Sequence, residues 1–239
     1  MCNSCIPTSV RRRGVMRGAL ALAGASLIGN TFLGRNANAQ PARAADTPDA
    51  ALKLLLDGNA RYVANQPRQR DFSANRANTA IGQAPFAAVL GCADSRVAPE
   101  LAFDQAPGDL FVVRVAGNFV TNEGLGSLEF GSAVLGTKLI MVLGHTGCGA
   151  VKATVEALQK GNHLPGHIAG LVTAMKPGIE QALKKGGTDL VERATIANVS
   201  YNVERLKRAG PILAGLIAKN ELRVVGGVYD LATGKVSMM

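Results

Sequence analysis

Residues 138–161 read KLIMVLGHTGCGAVKATVEALQKG, and the change of period inside this stretch decides the fold. KLIMVLGH (138–145) is short, rich in branched aliphatics and almost continuously apolar, the pattern of a strand buried on both faces of a parallel sheet. From residue 147 the pattern turns helical, GCGAVKATVEALQKG (147–161), with Gly161 as the expected stop. Three further runs share the strand character: FAAVLGC (86–92), LFVVRVA (110–116) and LRVVGGVYD (222–230). Helical stretches fall between and after them at 121–136, 166–185, 189–208 and 211–219, and Pro177 predicts a kink or break in the second of these. Strands alternating with helices predict an α/β fold, a mostly parallel sheet of at least four strands flanked by α-helices. Ahead of this core, residues 48–65 space Leu52, Leu55, Leu56 and Tyr62 helically, with Asp46 or Thr47 as the cap. A polar linker, QPRQRDFSANRANTAIGQAP (66–85), joins that helical arm to the first strand.

The 239 residues are 47% hydrophobic, enough for a sizeable core, with 4% aromatics and no Trp. The formal charge of +9 invites a nucleic-acid reading, but its distribution argues against one. Residues 1–39 carry Arg11, Arg12, Arg13, Arg17 and Arg35 and no acid; with those set aside, 21 Lys and Arg face 17 Asp and Glu. No basic run interleaved with aromatics remains, so no nucleic-acid partner is expected. The same segment holds GALALAGASLIG, shorter than the roughly 20 apolar residues of a membrane span, and the small-residue site Ala37-Asn38-Ala39. Together these read as a cleavable secretory signal over 1–39, and Arg12-Arg13 followed by Val15, Met16 and Arg17 resembles a twin-arginine export signal. The expectation is a single domain over 40–239, periplasmic or otherwise exported, with no stable membrane association after cleavage. The alternative is an uncleaved N-terminal anchor.

Cys2 and Cys5 fall in that segment, which leaves Cys92 and Cys148 to the mature chain. Two cysteines in an exported protein could pair as a disulfide, but their surroundings suggest another use. His145 and Cys148 stand three apart in GHTGCG (144–149), where strand gives way to helix, and Cys92 ends the first strand in GCADSRVAPE (91–100). Neighbouring strand ends in an open α/β sheet converge on the ligand crevice. Two thiolates and an imidazole make a Cys2His set that suits zinc and leaves a fourth position open. Asp94 and Arg96 follow Cys92 at alternating positions. Arg96, always charged and planar, can hold Asp94 ionised and oriented; alternatively Asp94 takes the fourth metal position and closes the site. His163 and His167, in GNHLPGHI, read as loop and cap residues, or else as an extra metal pair or proton relay.

C-x-D-S-R-V followed by a distant H-x-x-C-G resembles the β class of carbonic anhydrases over roughly residues 48–230. The resemblance implies zinc, one per chain, on Cys92, His145 and Cys148, with Asp94 and Arg96 as the catalytic dyad. It also implies a substrate pocket of Gln83, Phe111, Ala116, Phe130 and backbone at Gly149, with Gln83 donating to substrate across a dimer interface. Val115 stands where family members carry Asn. The implied activity is reversible hydration of CO2 to bicarbonate and a proton through zinc-bound hydroxide, in a homodimer or dimer of dimers. Three other readings stand beside it: a hydrolase of a CO2 analogue such as carbon disulfide or carbonyl sulfide, a zinc-holding protein without turnover, and a nucleotide binder using GLGSLEFG (124–131). The last pattern lacks a proper strand–turn–helix context and is better read as close packing of a helix.

Overall fold

The computed structural model describes residues 44–184 and 189–239; the expected signal segment 1–39 lies outside the described residues. Strands β1 (Ala87–Gly91), β2 (Leu110–Arg114), β3 (Leu139–His145), β4 (Arg223–Tyr229) and β5 (Val236–Met238) form one sheet in the order β2-β1-β3-β4-β5. All neighbours run parallel except β5, which returns antiparallel along the end of β4. The four strands read from the sequence are thus present, and the α/β expectation holds.

Side chains alternate between the two faces of the sheet, as the period of a strand requires. Ala87, Val89, Leu139, Met141 and Val225 pack with Ala51 and Leu55 of α1 (Pro48–Val63) and Ala102 of α3 (Pro99–Ala102). Ala88, Leu90, Ile140, Val142 and Val224 face the other way. They meet Leu128 of α4 (Asn122–Ala133), Val199, Val203 and Leu206 of α7 (Leu190–Lys207), and Leu213 of α8 (Ile212–Ala218). Burial on both faces explains why these runs are continuously apolar. A third cluster joins α5 (Gly149–Lys160), α6 (Ile168–Lys184) and α7, and it includes Cys92 and Cys148.

Thr47 is the cap of α1: its Oγ1 accepts from the Ala50 N–H at 3.2 Å. The helical arm packs on its own sheet through Ala51 and Leu55. Asn59 fastens it there, donating to the carbonyls of Ala102 and Gly234 and accepting from the Val236 N–H. GLGSLEFG lies within α4, where a Cβ on Gly131 would come 3.1 Å from the Phe111 ring. That stretch is therefore a close helix-to-sheet contact.

Three local features depart from the sequence reading. The linker contains a short helix, α2 (Phe72–Thr79), whose first turn is held by Asp71 Oδ1 accepting from the Ser73 N–H at 2.8 Å. Pro177 sits inside α6 without ending it; Met175, Ile179 and Ala182 keep one buried face continuous across it, and that burial outweighs the lost backbone bond. Strand β5 was not anticipated. It follows a turn in which Asp230 Oδ1 accepts from the N–H groups of Ala232 and Thr233, and Gly234 takes φ +73.

Asp104 ties the segment after α1 to the core. It is 3% exposed, and its carboxylate accepts from Arg61 Nε at 2.6 Å, from Arg70 Nη1 and from the Arg68 N–H. Burial alone would raise its pKa, but Arg70 and Arg61 outweigh it and the net shift is downward. A depressed folded-state value means stability that is present above the unfolded carboxylate range, near ~3.9, and is lost as pH falls through the folded value. Asp104→Asn leaves two partly buried guanidiniums without their anion, so a loss of about 3 kcal/mol is expected. Denaturant melts at neutral pH and at about pH 3 check this: the variant should be weaker at neutral pH and should lose less than the parent on acidification.

Candidate metal centre

The carboxyl ends of β1 and β3 lie side by side, with Gly91 in register with Leu143. Cys92 directly follows β1, His145 closes β3, and Cys148 is the N-cap of α5. Their ligand atoms all lie within 4.8 Å of one another, with the two Sγ atoms 4.0 Å apart. A tetrahedral ion with metal–sulfur bonds near ~2.3 Å sets its sulfurs about 3.8 Å apart, so the donor set fits a single ion. His145 is fully buried and its Nδ1 meets the Thr146 carbonyl at 2.9 Å. A carbonyl only accepts, so Nδ1 carries the proton and Nε2 presents its lone pair. That Nε2 has no hydrogen-bond partner among the described residues, as a metal-facing nitrogen requires.

The surroundings favour anionic sulfur. The Cys148 sulfur 4.0 Å away draws the Cys92 pKa down against the cost of burial, with help from His145 and the Gly117 N–H at 3.3 Å. The neighbouring Cys92 sulfur and burial push the Cys148 thiol upward. The N–H groups of Ala150 and Val151, in the first turn of α5, oppose that rise, as expected of a thiol at a helix N-terminus. Burial lowers the His145 pKa, but the Cys92 thiolate and the Thr146 carbonyl raise it by more.

Asp94 lies beside this cluster, its Oδ2 3.8 Å from His145 Nε2, while both its oxygens are held by Arg96. The Arg96 N–H and Nε bond Oδ1 at 3.0 and 2.9 Å, and Nη2 bonds Oδ2 at 2.7 Å. Those bonds hold the Asp94 carboxyl well below the usual carboxylate range. The structure thus brings together the five residues singled out by C-x-D-S-R and H-x-x-C. Arg114 was missed. From the end of β2 it donates through Nε to the Cys92 carbonyl at 2.8 Å and through Nη2 to the carbonyls of Asp94 and Val97 at 2.6 and 2.9 Å. It therefore holds the loop that carries the first thiol and the dyad. Its only signal in sequence is a lone charge at the end of an apolar strand.

A family profile described as carbonic anhydrase matches residues 87–236, from β1 into β5. A solved β-carbonic anhydrase from Coccomyxa superposes with a TM-score of 0.63 at 31% identity, covering 79% of this chain and 86% of that one. The chain belongs to the β-class carbonic anhydrase family. Within that family it is 42% identical to a carbonic anhydrase of Mycolicibacterium smegmatis over 192 residues, 80% of this chain and 93% of the relative. It is 39% identical to carbonic anhydrase 2 of Mycobacterium tuberculosis, over 79% of this chain and 91% of that protein.

The remaining positions expected of a carbonic anhydrase pocket are more dispersed in a single chain. Phe111 on β2 and Phe130 on α4 meet each other, with ring centroids 6.4 Å apart, and Phe130 is 48% exposed. Ala116 lies just past β2, and Gly149 opens α5. Gln83 is exposed and precedes β1, at the strand end opposite Cys92. His163 and His167 are exposed and outside the Cys–His–Cys cluster, the only such group of donors among the described residues.

Proposed function

We propose that the chain is a zinc carbonic anhydrase that interconverts CO2 and water with bicarbonate and a proton. The observation that carries this reading is the pairing of a three-ligand set with a carboxylate that is committed elsewhere. Cys92, His145 and Cys148 supply three donors, and Asp94 spends both oxygens on Arg96, which leaves a fourth position for solvent. Zinc held by these three residues would supply the Lewis acidity that makes a solvent nucleophile available near neutral pH. Asp94 Oδ2, beside the cluster, accepts a hydrogen bond from the attacking water and turns its remaining lone pair toward CO2. Arg96 keeps Asp94 ionised, so the carboxylate accepts and does not donate. The Gly117 N–H and the first turn of α5 offset the charge of two thiolates.

We propose further that substrate is completed by a second copy. Gln83 stands at the far end of β1 from Cys92, so it serves the site of a partner subunit, and β2 is an edge strand flanked by the exposed ring of Phe130. A homodimer, or a dimer of dimers, follows. Export through residues 1–39, with a mature domain from residue 40, remains part of this proposal. No helix among the described residues is long and apolar enough to cross a membrane.

The test is stopped-flow CO2 hydration by the zinc-loaded protein from about pH 6.5 to about 9, a span bracketing the pKa of a metal-bound water, with a chelator-treated control. Turnover that rises with pH and disappears on metal removal is expected. Zinc bound at one per chain without turnover anywhere in the range would sink the reading in favour of a CO2 analogue or a non-catalytic zinc role.

A further inference from the structure

Helix α7 contributes no metal ligand, yet its polar seam reaches the site from below. Asn198 is fully buried and donates through Nδ2 to the Gly117 carbonyl at 2.8 Å. The same Gly117 donates its N–H to Cys92 Sγ at 3.3 Å. One turn on, Asn202 Nδ2 donates to the Asn198 carbonyl and Oδ1 at 2.8 and 3.2 Å. Its Oδ1 accepts from the Val120 N–H at 2.8 Å, and Arg205 Nη1 donates to the Val120 carbonyl at 2.7 Å. Three side chains at helical spacing thus grip residues 117–120 by the backbone. The helix also touches the other ligand strand: a Cβ on Gly144, one residue before His145, would come 2.7 Å from Val199 Cγ2.

We propose that Asn198, backed by Asn202, is a positioning residue for the metal centre: by anchoring Gly117 through its carbonyl it keeps the Gly117 N–H, on the preceding peptide, against Cys92 Sγ, and so tunes that thiolate as a ligand from α7. The physical basis is the anchoring of one residue: the Gly117 N–H belongs to the peptide it shares with Ala116 and its carbonyl to the peptide it shares with Asn118, and the two planes meet at its Cα. A hydrogen bond accepted by the Gly117 carbonyl fixes where that Cα sits, and with it the preceding peptide whose N–H meets Cys92 Sγ; a hydrogen bond to a ligating sulfur lowers its electron donation to the metal. Gly117 has φ +90, a conformation with little intrinsic preference to hold either plane. The hold comes from its neighbours: Asn198 takes the Gly117 carbonyl, and the Asn118 N–H closes the turn on the Val115 carbonyl at 2.9 Å.

The inference rests on the zinc reading, and its test is chosen to fail separately from it. The protein is loaded with cobalt(II) and the sulfur-to-cobalt charge-transfer band recorded, alongside zinc affinity from chelator competition. Asn198→Ala is expected to shift the band to lower energy, because a thiolate stripped of its N–H donor gives up charge more readily. Zinc affinity should nonetheless weaken by about 10-fold, because the loosened 117–120 segment no longer holds Cys92 in place for the ion. Thr195→Val serves as control: Thr195 is buried on the same helix, but its hydroxyl donates to the Val191 carbonyl and reaches no ligand loop. Its band should not move. An Asn198→Ala protein that is folded and metal-loaded, with the parent's spectrum and affinity, overturns the proposal. So does a Thr195→Val shift of equal size, which would mark mere loosening of α7. Should Asn198→Ala not fold, Asn198→Ser is read in the same way. If neither folds, the unaltered protein loaded with cadmium-113 decides: the Gly117 amide proton must be split by the metal through Cys92 Sγ, and an unsplit resonance overturns the proposal. Failure of the zinc reading itself looks different, since the unaltered protein would then take up no metal.

Discussion

Cys148→Ser is expected to fold, to lose nearly all its metal, and to show no CO2 hydration above background. Serine keeps the shape of the side chain but not its acidity, so it cannot supply an anionic ligand at neutral pH. Changes in groups that merely orient a ligand cost about 10–100-fold in metal affinity; loss of a ligand atom should exceed that range. The substitution is informative because of where Cys148 sits. It is the N-cap of α5 and makes no side-chain capping hydrogen bond, whereas serine is among the best N-cap residues. The helix should therefore be held at least as well in the variant. Elemental analysis for zinc, a circular-dichroism melt of the metal-free proteins and stopped-flow hydration together make the check. A variant that retains one zinc per chain with full turnover would falsify the assignment of Cys148 as a ligand.

Asp94→Asn separates chemistry from metal binding. The amide is isosteric with the carboxylate, and its one oxygen can still accept from Arg96. What it lacks is the anionic acceptor beside His145, so the attacking water is no longer held with its lone pair toward carbon. Zinc content should stay at one per chain while kcat falls by about 10²-fold or more, the scale of a lost positioned acceptor. Arg96 keeps the parent's Asp94 ionised well below the usual carboxylate range, so its titration cannot shape the activity profile at neutral pH. The sign of the linked stability is the same as for Asp104: present above the unfolded carboxylate value near ~3.9 and lost only as pH falls through the folded one. Loss of zinc together with activity in Asp94→Asn would instead identify Asp94 as a ligand.

The parts of the fold that were readable in sequence are those where burial acts on both sides of an element. Val89, Met141 and Val225 face α1 while Leu90, Ile140 and Val224 face α7 and its neighbours, so the interiors of the four parallel strands are apolar and charged or imidazole side chains stand only at strand ends, as Arg114, His145 and Arg223 do. Helix α2 was invisible because FSANRANT presents no apolar stripe and depends on Asp71 for its first turn. Strand β5 is three residues long and is placed by the Asp230 turn, which a periodicity cannot register. Pro177 misled because its local cost is outweighed by packing contributed by other segments.

The site divides along similar lines. Cys92, Asp94, Arg96, His145 and Cys148 act through their own side-chain atoms at fixed short spacings, and a short motif records such spacings. Arg114 and Asn198 act on backbone carbonyls of a distant segment. Peptide groups have no residue identity, so their partners leave no pattern. Gln83 and Phe130, expected in the pocket from the resemblance alone, are exposed in the single chain.

The strand order has a consequence for how the protein is made. Cys92 and Cys148 are 56 residues apart in the chain, and they meet only because β3 pairs with β1 on the side away from β2. No shorter fragment holds the three donors at bonding distance, and the nascent chain has no site until that long-range pairing is complete. Metal capture is accordingly a late event in biogenesis. On the proposed zinc reading, an ion held there would fasten the two ligand turns across the central seam of the sheet, and resistance to opening there would grow with the logarithm of free zinc above its dissociation constant. A shortfall of zinc would then leave more of the chain in a form that opens readily along that seam.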